Sequence, residues 1–161
     1  LITLEHKHID NIPEFELQQE EVLIHRLENE ILHQYGEHIF LGHSINSHPE
    51  QLEEMTYNER EFARFLLTKE CLLVFFEPKI LSLEGRVPDF YVWNMNCGFE
   101  SVGKLVEVTC YEEERISRHK TRNTQRKFNQ REDFRKTKLP FVYIYKKEQI
   151  RMMKANQIKL F

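Results

Sequence analysis

Four short, dense apolar runs constrain this chain most: CLLVFFEP at 71–78, RVPDFYVWN at 86–94, KLVEVTCY at 104–111 and LPFVYIYK at 139–146. Each is rich in β-branched and aromatic residues and too short to be a buried helix, so each is expected to be a strand. Residues 112–136 lie between the third and fourth runs. They are almost wholly polar, and Ile116, Phe128 and Phe134 are their only large apolar residues. A helix over that span would return the chain as a crossover and place the fourth strand in a mixed sheet. The first three strands can form a meander.

Upstream, residues 14–35 place Phe15, Leu17, Val22, Leu23, Leu27, Ile31 and Leu32 at helical steps, and Gly36 ends the pattern. Its outer face is acidic, the mark of a solvated or partner-facing arm. A second helix is expected from about 50 to 69, with Leu52, Met55, Phe62, Ala63, Leu66 and Leu67 as its inner stripe. A short helix over 147–156 and the tail IKLF close the chain. The reading is an α/β domain with a small central sheet. Residues 1–49 are its helical arm and 50–161 its body.

No apolar run approaches 18 residues, so no membrane span is expected. No secretion signal is visible at the start, and the missing Met hints at a fragment. The odd count of cysteines (Cys71, Cys97, Cys110), at no ligand-like spacing, argues against a disulfide scaffold and fits an intracellular setting. His33, His38, His43 and His48 recur at five-residue steps, which do not stack on one helix face.

The net charge of −3 hides an asymmetry. Residues 1–70 carry 15 acids and 5 bases, a balance of −10; residues 71–161 carry 11 acids and 18 bases, a balance of +7. Ten of those bases fall in 115–138, against two acids. The C-terminal half should therefore attract polyanions.

The chemistry is expected where two acids interrupt apolar strands. Alternation puts Val87, Asp89, Tyr91 and Trp93 on one face of the second strand, and Leu105, Glu107 and Thr109 on one face of the third. If the strands are neighbours, Asp89 and Glu107 project together from one face. Carboxylates in such surroundings call for a cation between them. Two hard oxygen ligands on rigid strands suit Mg²⁺ or Mn²⁺. Trp93 shares the face of Asp89, where it either stacks on a base or packs in the core.

The pattern Val-Pro-Asp89-Phe-Tyr-Val, then Leu-Val-Glu107-Val-Thr109, resembles the PD-(D/E)xK, or restriction-endonuclease-like, nuclease superfamily. The likeness covers about 100 residues and implies an αβββαβ core. The segment Glu59-Arg-Glu61-Phe62-Ala63-Arg-Phe-Leu66 is similar to the acid-bearing helix before the first strand of such enzymes. Glu59 is the preferred acid and Glu61 the second. The resemblance implies a metal-dependent endonuclease acting on DNA rather than RNA, with Mg²⁺ or Mn²⁺ held by Asp89, Glu107 and the Val108 carbonyl. A homodimer would suit a double-strand cutter.

The chain departs from the family at Thr109, where a lysine is usual. Lys120 or Lys127 would then steady the developing charge. Arg115, Arg118, Arg122, Arg126, Arg131 and Arg135 would contact phosphates. Two alternatives stay open. One is a binding protein on the same fold that has lost catalysis. The other is an RNA endonuclease of the viral cap-snatching type, which adds an upstream histidine from among His25, His33, His38, His43 and His48.

Overall fold

The computed structural model describes residues 14–83, 85–109, 111, 113–145, 149, 151, 153–155 and 161. Its helices are α1 (Glu14–Tyr35), α2 (Tyr57–Leu67), α3 (Glu113–Arg118) and α4 (Arg122–Lys136). Its strands are β1 (Ile39–Phe40), β2 (Leu72–Phe76), β3 (Lys79–Ile80), β4 (Phe90–Asn94), β5 (Lys104–Thr109) and β6 (Phe141–Tyr145). The protein has an α/β fold. Its main sheet runs β2-β4-β5-β6, and β1 and β3 form a separate two-stranded pair. From α2 onward, setting β3 aside, the order is αβββαβ with the crossover helix in two pieces.

β2, β4 and β5 pair antiparallel as a meander, and β6 lies parallel to β5 after the α3–α4 crossover. The register sets Phe90 opposite Val106 and Tyr91 opposite Leu105. Leu73, Phe75, Tyr91, Trp93 and Leu105 face one way and pack with Leu23, Ile24, Leu27 and Ile31 of α1. Leu72, Val74, Phe90, Val92 and Val106 face the other way and pack with Phe62, Ala63 and Leu66 of α2. β2 is apolar at every position because both its faces are covered.

The N-terminal helix is therefore part of the core rather than an arm beside it. Its buried stripe is Leu23, Ile24, Leu27 and Ile31, and Val22, expected inside, is 64% exposed. Glu20 is buried with it and accepts a hydrogen bond from Ser44. That bond anchors the loop that covers the free edge of β2. There Asn46 donates to the Leu72 carbonyl at 2.9 Å and accepts from the Val74 N–H at 2.9 Å, in place of a neighbouring strand.

Several elements are shorter than expected, for local reasons. The helix expected over 50–69 is a 3-10 turn, Pro49–Glu54, followed by α2. Met55 is extended, and Thr56 starts α2 with a capping box closed by Glu59. The helix expected over 112–136 breaks between α3 and α4. His119 has φ of 38°, and Thr121 opens a second capping box with Thr124. The second strand starts at Phe90 rather than Arg86, since Pro88 has no N–H for a ladder and restricts the residue before it. The third ends at Thr109, whose hydroxyl accepts from the Tyr111 N–H at 3.2 Å. Within the expected 147–156 helix, Gln149, Arg151, Met153 and Lys154 are helical. Its other residues (Ala155 apart), the tail up to Leu160 and Cys110 lie outside the described residues. No helix among the described residues is long and apolar enough to cross a membrane.

Gly103, just before β5, is a backbone position that tolerates no side chain. Its φ is 111°, and a Cβ there would lie 2.6 Å from the Val92 carbonyl oxygen and 2.9 Å from the Tyr91 ring. Gly103→Ala is expected to destabilise the fold by about 2–4 kcal/mol, read as a lower urea midpoint with an unchanged slope. A midpoint equal to wild type would show that the β4–β5 turn gives way without loss.

Candidate metal and phosphodiester site

The site forms where β4 begins and β5 ends. Asp89 lies one residue before β4, and its carbonyl accepts from the Glu77 N–H at 2.9 Å. The antiparallel register carries Asp89 alongside Glu107 of β5. The two are locked by reciprocal hydrogen bonds. The Asp89 N–H donates to Glu107 Oε1 at 2.8 Å, and the Val108 N–H donates to Asp89 Oδ2 at 2.8 Å. In extended backbone a residue's carbonyl points to the same side as its N–H, so the Val108 carbonyl is also directed toward Asp89.

Two helices complete the site. Lys127 of α4 places Nζ 3.4 Å from Glu107 Oε2. From the other side of the sheet, Glu59 in the first turn of α2 hydrogen-bonds the Asp89 carboxyl. Glu59 also accepts from the Thr56 N–H at 2.9 Å, so the capping box that starts α2 holds this acid in place. Glu61 instead lies 3.8 Å from Arg64 on the helix surface.

Three acids and one lysine thus share a largely buried corner, and the carboxyl groups are strained electrostatically. The Asp89 carboxyl is pushed up to about 9, by burial first, then by the charge of Glu107 and the hydrogen bond with Glu59. Burial also raises Glu107, although Lys127 and the Asp89 N–H pull it back. With three acids against one lysine the corner is short of positive charge, and its donor set is hard oxygen. Among the described residues, no three His, Cys, Asp or Glu side chains form a cage for a metal ion. Two carboxylates and a backbone carbonyl nevertheless fit Mg²⁺ or Mn²⁺, which keep several waters and take one or two protein carboxylates.

The other expected residues divide. Lys120 is exposed on the joint between α3 and α4, while Lys127 reaches Glu107. Arg115, Arg118, Arg122 and Arg126 are exposed on the α3–α4 surface, available to a polyanion. Arg135 is exposed and lies 2.6 Å from Glu132. Arg131 corrects the expectation: it is only 4% exposed, both terminal nitrogens lie 3.3 Å from Ser117 Oγ, and its guanidinium covers the Phe128 ring. It ties α3 to α4. Trp93 is also a core residue, 1% exposed, donating to the Gly98 carbonyl at 2.9 Å. His43 and His48 stack on each other at 4.1 Å, and His25 lies 3.3 Å from Glu28 on α1.

Two further features escaped the sequence reading. Arg86, three residues before Asp89, lies 2.5 Å from Asp133 and so ties the approach to Asp89 to the helix of Lys127. Tyr143 of β6 stands opposite Glu107, under α4. Burial, then the charge of Glu107, raises its hydroxyl pKa above the ordinary value. Neither carries a motif. A basic residue before a Pro-Asp pair and a tyrosine in an apolar strand acquire meaning only from their neighbours.

Compared with known proteins, the chain matches no family model, no curated protein and no solved structure.

Proposed function

We propose that this chain is a divalent-metal-dependent nuclease of the PD-(D/E)xK kind, hydrolysing phosphodiester bonds in DNA. One observation carries the reading. Asp89 and Glu107 are cross-tied through each other's strand backbone, with Lys127 reaching Glu107 from a helix whose outer surface is basic.

Asp89, Glu107 and the Val108 carbonyl would hold Mg²⁺ or Mn²⁺. When bound, the ion supplies a Lewis acid for the phosphoryl oxygen and lowers the pKa of water at the site. The rest falls to the protein's own residues. Glu59 keeps Asp89 aimed into the corner. Lys127 takes the part of the usual motif lysine and steadies charge growing on the phosphate. Thr109 cannot do this, because a neutral hydroxyl brings no positive charge to the phosphate. Arg115, Arg118, Arg122 and Arg126 bind the phosphate backbone and make affinity fall steeply with salt.

The test is manganese-dependent cleavage of plasmid DNA, with single-stranded RNA in parallel. Lys127→Met is expected to lower kcat by about a hundredfold, while Lys120→Met stays within about threefold of wild type. Equal losses for the two variants would remove Lys127 from its role. Salt-sensitive binding without cleavage under any divalent ion would replace the nuclease with a binding protein. Cleavage confined to RNA would change the substrate.

A further inference from the structure

Tyr143 sits where a phenylalanine would pack equally well. Its ring meets Phe141 edge-on at 6.0 Å, and the alternation of β6 turns it to the face of Glu107, its partner in the parallel register. Its hydroxyl oxygen is sealed from solvent and has no hydrogen-bond partner among the described residues. Gln130 Oε1, one turn along α4 from Lys127, is in the same condition. A buried hydroxyl without a partner is destabilising and rare in native proteins, so it calls for a reason beyond packing.

The neighbouring groups supply one. The hydroxyl lies in the field of Glu107 and Asp89 on the acid side and of Arg131 and Arg135 on the helix side. Glu107 has two oxygens, with Asp89 and Lys127 beside them. Oε1 is held by the rigid Asp89 N–H, and Oε2 by Lys127 at 3.4 Å, a long contact made by a flexible side chain. If Lys127 turns to a phosphate, Oε2 loses that donor.

We propose that Tyr143 is a positioning residue of this centre: its hydroxyl is the reserve donor that takes up Glu107 when Lys127 leaves it, keeping the carboxylate aimed at the cation. The inference rests on the nuclease reading above and adds a residue to it. The hydroxyl donates one hydrogen bond to Glu107, no covalent step is involved, and the substrate is not touched.

Tyr143→Phe tests this, because it removes one oxygen and keeps the ring. In a Lys127→Met background, where the lysine no longer holds Glu107, calorimetric titration with Mn²⁺ alone should show about tenfold weaker binding once Tyr143→Phe is added, the size typical of lost outer-shell partners. Melting without metal should occur at or above the wild-type temperature, since an unpartnered hydroxyl is gone. With DNA, kcat should fall about tenfold while KM stays unchanged. Tyr143→Phe that leaves Mn²⁺ affinity unchanged in the Lys127→Met background, and cleavage unchanged on its own, would overturn the role of Tyr143 and leave the nuclease reading standing. A melting temperature well below wild type would also overturn it, by making the hydroxyl a structural bond. Wild-type protein that binds no Mn²⁺ would overturn both readings together.

Discussion

Glu107→Gln is expected to remove metal-dependent cleavage, lowering kcat by about a thousandfold. The substitution keeps the shape of the side chain, so the carbonyl oxygen of Gln can still accept from the Asp89 N–H. The new amide group then faces Lys127 Nζ, and two donors meet where an ion pair at 3.4 Å stood. The centre loses one of its two strand-borne carboxylates, and Lys127 loses its counter-charge. Glu107 is only 3% exposed, so no solvent rescues either loss. The measurement is single-turnover plasmid nicking in Mn²⁺, with the melting curve showing that the variant folds. Activity within tenfold of wild type would take Glu107 out of the reaction.

Asp89→Asn should have the opposite effect on stability. In the folded chain the Asp89 carboxyl is held near 9, against an ordinary value of 3.8. The folded state therefore binds a proton that the unfolded state releases. This contribution to stability is complete below about pH 4 and is lost as pH rises toward 9. Asn carries no charge to bury, accepts from the Val108 N–H as Asp89 does, and donates toward Glu59. In metal-free buffer Asp89→Asn and wild type should melt close together at pH 5. At pH 8.5 the variant should melt higher, by on the order of 5 °C. Added Mn²⁺ should reverse the order at pH 8.5, because the cation supplies the missing charge to wild type alone. A difference that does not grow with pH would mean that the two carboxyl groups do not strain one another.

The strands and their order were legible in the linear chain. Four dense apolar runs separated by turn residues leave few ways to bury their side chains, and one long polar stretch forces the parallel return of β6. Alternation also placed Asp89 and Glu107 on one side, since a period of two is a property of extended backbone and not of any partner. Element ends were less legible. Thr56 and Thr121 stop one helix and start another through hydrogen bonds that propensity alone does not reveal.

Long-range geometry settled the rest. Lys120 and Lys127 look alike in sequence. The break at His119–Thr121 resets the phase of α4, so that Lys127, Arg131 and Phe134 turn inward together while Arg122 and Arg126 stay outside. That phase depends on Phe134 packing against Phe141 from a strand that comes later in the chain. The same holds for Asn46 at the edge of β2, Arg86 on Asp133 and Tyr143 beside Glu107. Local backbone chemistry specifies which residues extend or coil. Which side chains meet depends on parallel register and helix rotation, and these are set by contacts between segments remote in sequence.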